Sequence, residues 1–197
     1  MRPAVASALV AICAFAAPAA AQRAAGDAPA RALLVVGDSL GLFTVPHLER
    51  RLDGWHVTAR ARPARRATEA PRILRAFGPS LPPVVHVSLG TIDPPARVRA
   101  FRRALRTVMR LAGRRRCVVW TNIYRPALGE ATYDDFNQIL ARQDARRANL
   151  RVVDWEAMVA ANLDWLLGDA VHVTAQGYRA RARAVASEVR LCRRSLT

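Results

Sequence analysis

The sequence has no lysine: all 31 of its basic residues are arginine, set against 15 acidic ones for a formal net charge of +16. Beside so much alanine, this reads as coding bias as much as surface design. A basic surface still favours anionic neighbours such as acidic polymers. Aromatics make up only 6% of the chain. None is interleaved with the arginines as in single-strand binders, and no nucleic-acid motif occurs, so nucleic acid is not an expected partner. Cysteine is scarce, at three residues. Their wide spacing is a poor metal signature, and no metal or cofactor is expected. Glycine is missing altogether between Ala59 and Ala70, an absence that matters for the site.

No apolar run is comfortably long enough to span a bilayer. The run Ala4 to Ala17 follows Arg2 and precedes Pro18 and Ala19-Ala20-Ala21, which has the pattern of a secretory signal cleaved before Gln22. We therefore expect a signal peptide over 1–21, a flexible lead over 22–30, one domain over 31–197, and no transmembrane segment after processing. At 52% hydrophobic, the chain has enough apolar residues for a full core. Cys13 leaves with the signal. In an oxidising compartment Cys117 and Cys192 are candidates for one disulfide, with two free thiols as the alternative. The bridge would close a loop of about 75 residues and contribute about 4 kcal/mol on the chain-entropy model.

Leu33-Leu34-Val35-Val36 runs directly into Gly37-Asp38-Ser39-Leu40-Gly41. The apolar run reads as a strand buried on both faces. Leu42, Val45, Leu48 and Leu52 then recur at helical spacing. Ser39 thus lies on a strand-to-helix turn, where free N–H groups suit a nucleophile or an anion; the plainer reading is a helix cap by Asp38 or Ser39.

Further strands are expected over Trp55–Arg60, Val84–Leu89, Cys117–Thr121 and Leu150–Val153. Helices are expected around Thr68–Phe77, from an Asp93 cap through Pro94 to Ala112, and over Tyr133–Arg147, Glu156–Asn162 and Ala175–Leu191. Alternating strands and helices predict a three-layer α/β/α sandwich on a five-stranded parallel sheet, in the flavodoxin-like order 2-1-3-4-5. Ser39 and the loop Gly90-Thr91-Ile92-Asp93 would then meet at the topological switch point. His86 reads as structural, Asn137 as part of a polar helix face, and His47 and His56 carry no signal.

Asp169 and His172 precede the last helix, which Thr174 is placed to cap. A neutral histidine can take a serine proton and return it to a leaving group, and a carboxylate can orient its ring. Gly37-Asp38-Ser39-Leu40 on the first turn and Asp-x-x-His before the last helix, in this order from Leu33 to Leu191, resemble the SGNH, or GDSL-type, hydrolase superfamily. The resemblance implies Ser39 as nucleophile, His172 as general base and acid, and Asp169 as its orienting partner. It also implies esterase, deacetylase or O-acyltransferase chemistry on small acyl esters or O-acetylated cell-wall glycans.

Two positions depart from the family pattern. Ile92 stands where an asparagine amide is expected to donate to the oxyanion. The glycine expected after the second strand, whose N–H is another donor, is replaced, with Ala64 or Arg65 at that place. The remaining donor is Ser39 N–H, and Asn122, Arg62, Arg65 and Arg66 are candidate replacements beside their plainer readings as a loop cap and solvated arginines. Three functions follow as alternatives: a secreted ester hydrolase, an inactive relative that binds a glycan or acidic wall polymer, and an acyltransferase.

Overall fold

The computed structural model describes residues 31–196. The expected signal peptide and flexible lead lie outside the described residues. The sheet comprises β1 (Ala32–Gly37), β2 (His56–Ala61), β3 (Val84–Ser88), β4 (Cys117–Thr121) and β5 (Leu150–Val153). All pairings are parallel, in the order β2-β1-β3-β4-β5. β1, β3 and β4 are buried along their whole length, as strands covered on both faces must be. β2 is the half-exposed edge. Its Ala59 faces solvent.

Helices cover both faces. Leu34, Val36, Val85, Val87, Val118 and Trp120 point into a core shared with α2 (Ala70–Phe77), α3 (Val98–Ala112) and α4 (Asp134–Asp144). Leu33, Val35, Val84 and Val119 point into a second core with α1 (Ser39–Glu49) and α6 (Ala175–Arg194). A third cluster, Leu40, Trp155, Val159, Trp165, Val173 and Tyr178, joins α1 and α6 to α5 (Trp155–Ala160) above the sheet edge. Cys117 and Cys192 form a disulfide with Cα atoms 5.6 Å apart, tying the end of α6 to the start of β4. Among the described residues no helix is long and apolar enough to cross a membrane.

Two expectations need correction. Helix α1 starts at Ser39, not at Leu42, because Asp38 Oδ1 accepts from Leu40 N–H (3.0 Å) and Gly41 N–H (3.4 Å). Helix α3 starts at Val98 with Arg97 as its cap, not at Asp93 and Pro94. The Asp93 carboxylate is drawn instead to Ala67 N–H at 2.9 Å, pinning the loop after β3 to the loop after β2. A long-range partner has outcompeted the local cap.

Candidate active site

The first half of the site is the β1–α1 turn. Gly37 permits it: a Cβ there would lie 2.9 Å from Gly41 Cα, inside the backbone of α1. Asp38 N–H donates to Ser88 O at 3.1 Å, anchoring the turn to β3. Of the first four N–H groups of α1, Leu40 and Gly41 donate to the Asp38 carboxylate and Leu42 donates to Asp38 O. Ser39 N–H is left for a ligand. Asp38 is buried. Burial raises its carboxyl above the usual range, against the pull of the Arg181 guanidinium, the two capping N–H groups and the Thr91 hydroxyl.

The second half is the loop between Trp165 and α6. Leu166 and Val173 form an antiparallel bridge, and Thr174 caps α6 by accepting from Gly177 N–H at 3.4 Å. Between them Ala170 takes a φ of 53°, which reverses the chain in a left-handed conformation. Asp169 Oδ1 accepts from Val171 N–H (3.0 Å) and His172 N–H (2.9 Å). Its Oδ2 lies 2.5 Å from His172 Nδ1. The bond to the His172 ring, followed by the two backbone donors, lowers the Asp169 carboxyl to about 2. The other ring nitrogen, His172 Nε2, is 2.8 Å from Ser39 Oγ. A hydrogen-bonded chain thus runs from Asp169 through His172 to Ser39, joining residues 133 positions apart. The exposed ring of Phe43 packs edge-on against His172, with centroids 6.1 Å apart.

The remaining candidates separate. Ala64 adopts a φ of 57°, the conformation that suits glycine, so this position makes the expected turn with alanine. Gly90 has a φ of 125°, and a Cβ there would sit 2.5 Å from Ile123 Cδ1. Thr91 O is held by Arg125 Nη1 (2.5 Å) and the Tyr133 hydroxyl (3.2 Å). Asn122 does not serve as a free amide: its Nδ2 donates to Asp154 Oδ1 and its Oδ1 accepts from Glu156 N–H, both at 2.8 Å. It braces the β5–α5 turn. Arg62 pairs with Glu69 at 2.7 Å, and Arg65 donates to Arg60 O. Asn137 is buried rather than part of a polar face, and its amide bonds both N–H and C=O of Ile123. His86 is structural, buried against the Thr121 hydroxyl at 2.9 Å, and burial lowers it to about 3. Among the described residues no cluster of three or more His, Cys, Asp or Glu is placed to hold a metal.

Sequence reasoning missed Arg181. It is buried on α6, donates to Ser88 Oγ at 2.8 Å, and lies over the Trp155 ring at 4.6 Å. The signal was present. Position 181 falls on the buried stripe of α6, Tyr178, Ala182, Val185, Ala186 and Val189, yet in so arginine-rich a helix it reads as one more surface cation.

No protein-family model matches this chain, and no curated protein matches it by sequence. Solved structures match it by fold. The C-terminal catalytic domain of peptidoglycan O-acetyltransferase A from Streptococcus pneumoniae, solved with a methylsulfonyl adduct, is 17% identical over 87% of this chain and 96% of that one, with a TM-score of 0.66. A carbohydrate esterase family 3 protein from Talaromyces cellulolyticus is 14% identical over 84% and 99%, with a TM-score of 0.68. A GDSL-like lipase from Bacteroides thetaiotaomicron is 15% identical over 82% and 89%, with a TM-score of 0.67. The fold, a parallel sheet in the order 2-1-3-4-5 covered by helices on both faces, is therefore similar to that of these acetyltransferase-domain, esterase and lipase structures.

Proposed function

We propose that this chain is a secreted serine ester hydrolase that cleaves small acyl esters, acetyl groups on glycans foremost. The observation that carries the reading is the unbroken hydrogen-bond chain Asp169–His172–Ser39, at 2.5 and 2.8 Å. Ser39 Oγ attacks the acyl carbon as its proton passes to His172 Nε2, and the carbonyl oxygen becomes the oxyanion. Ser39 N–H and Ala64 N–H are its donors. Collapse breaks the bond to the alcohol oxygen, which takes the proton from His172 and leaves. Water then adds to the acyl-enzyme with His172 as base, and the carboxylic acid departs from a restored Ser39. Asp169 keeps Nδ1 protonated and stabilises the imidazolium.

The substrate class is supported by the neighbours named as a carbohydrate esterase and an acetyltransferase domain. A sugar hydroxyl in place of water at the second step would make the same acyl-enzyme a transferase, and product analysis with an acceptor sugar separates the two. Export is supported by the signal pattern over 1–21 and by the Cys117–Cys192 disulfide.

A binding protein without turnover is the second reading. It is favoured by Ile92 and by a groove of about 290 Å³ between α3 and α4 that is lined by Arg102, Arg106, Arg142 and Arg146 and by no acidic residue. One experiment decides between them: labelling of the secreted protein by a fluorophosphonate probe. Labelling at Ser39 that is lost in Ser39→Ala and in His172→Ala is the expected result. A folded wild-type protein that does not label would overturn the hydrolase reading and leave the binder.

A further inference from the structure

Behind the Ser39 turn the interior holds a cation. Arg181 is 1% exposed. Its Nη2 donates to Ser88 Oγ at 2.8 Å, while Nε and Nη1 have no hydrogen-bond partner. A guanidinium with two unbonded donor atoms in the core is costly. Stability alone does not account for it, since an apolar side chain of similar volume commonly does as well or better.

Its neighbours connect it to both halves of the site. Ser88 pairs with Gly37 in the sheet register and accepts Asp38 N–H through its carbonyl. The Ser88 side chain also lies directly under Gly41, where a Cβ would meet it at 3.1 Å. By holding Ser88, Arg181 holds the turn that presents Ser39. On the other side, Trp155 lies beneath the guanidinium and stacks on Trp165 at 6.1 Å. Trp165 O accepts Thr174 N–H, which closes the loop carrying His172. Arg181 thus sits where the serine turn and the histidine loop are both anchored.

The third connection is charge. The Asp38 carboxylate caps α1 and occupies the two N–H groups next to Ser39. Arg181 is the cation acting on it. The other groups facing Asp38 are the Thr91 hydroxyl from the β3–α3 loop and the Tyr178 phenol from α6; His86, on β3, faces Arg181. Burial brings Arg181 down to about 10, so it remains charged at neutral pH.

We propose that Arg181 is a positioning residue: through Ser88 and Trp155 it holds the Ser39 turn against the His172 loop, with its charge set toward the Asp38 cap. This rests on the hydrolase reading for its catalytic consequence, though not for its electrostatic one. The test compares the wild type with Arg181→Met and Arg181→Lys in fluorophosphonate labelling, separating rate constant from probe affinity. It also titrates the Asp38 carboxyl by carbon NMR.

In Arg181→Met the labelling rate constant is expected to fall by at least about tenfold at little-changed probe affinity, since a misplaced nucleophile costs rate more than binding. The Asp38 midpoint is expected to rise, because a buried carboxylate loses its cation. Arg181→Lys restores the midpoint and most of the rate. In Arg181→Met an unmoved Asp38 midpoint, or a rate within about twofold of wild type, overturns the proposal. If near-UV circular dichroism shows Arg181→Met unfolded, Arg181→Lys and Ser88→Ala carry the test. Ser88→Ala should then slow labelling with the Asp38 midpoint unmoved, and a wild-type rate in Ser88→Ala overturns the proposal. If the wild type itself does not label, the hydrolase reading fails and the Asp38 titration alone decides the role of Arg181.

Discussion

Ile92→Asn is the substitution that most sharply tests how this site manages its oxyanion. Ile92 lies in the Gly90–Asp93 turn, where Asp93 N–H donates to Gly90 O at 3.1 Å. The turn is held independently of residue 92. Thr91 O is fixed by Arg125 and Tyr133, and the Asp93 carboxylate by Ala67 N–H. A new side chain therefore meets a preset backbone. An isoleucine cannot donate, and one oxyanion donor is worth about 2.7–4 kcal/mol, or roughly a hundred- to a thousand-fold in kcat. An asparagine set on a backbone that did not evolve around it should recover part of this. We expect kcat for p-nitrophenyl acetate to rise at least about tenfold with KM nearly unchanged, because the new bond strengthens only as charge develops. Ile92 is half-buried, so losing its apolar contact should cost about 1 kcal/mol, or about 2–4 °C in Tm. Steady-state kinetics and a thermal melt read both quantities. A folded variant with unchanged or lower kcat would refute the idea that this site lacks a donor at position 92.

Two further outcomes test the frame of the site. Ala64 has a positive φ and an exposed side chain. Ala64→Gly is expected to be neutral or to stabilise by up to about 1 kcal/mol, whereas Ala64→Val should cost at least about 1 kcal/mol because β-branched residues avoid that region; equal melting temperatures for the two would reject the left-handed turn. The Cys117–Cys192 disulfide spans 75 positions, which corresponds to about 4 kcal/mol on the chain-entropy model. The double variant Cys117→Ala, Cys192→Ala should melt about 8–16 °C lower in a domain of this size, and a loss below about 1 kcal/mol in denaturant unfolding would show that the bridge adds little.

Local pattern was enough for the architecture. The runs Leu33–Val36 and Cys117–Trp120 are apolar at every position and Val84–Val87 at every position but His86, the pattern of strands covered on both faces. Helices between them leave a parallel sheet and the crossover at β1 and β3. The turn at Asp38 and Ser39 and the position of Asp169 and His172 before a capped helix were legible for a related reason, since turn and cap chemistry is local, whereas their grouping into one site came only from the family resemblance. The left-handed turn at position 64 was legible only as the place where a glycine was missing.

What the sequence could not determine was which side chains a distant segment would claim. Asp93 resembles a helix cap and bonds Ala67 N–H instead. Asn122 reads as a donor or a loop cap and Asn137 as a solvated amide, and both are spent on loop backbone or side chains more than ten residues away. Arg181 resembles any other arginine of α6, and only the packed sheet puts Ser88, Asp38 and Trp155 around it. Composition and periodicity report whether a residue faces inward. The partner of a buried polar group is chosen by tertiary geometry, because the desolvation cost of an unpaired group selects among contacts that exist only once the layers have closed.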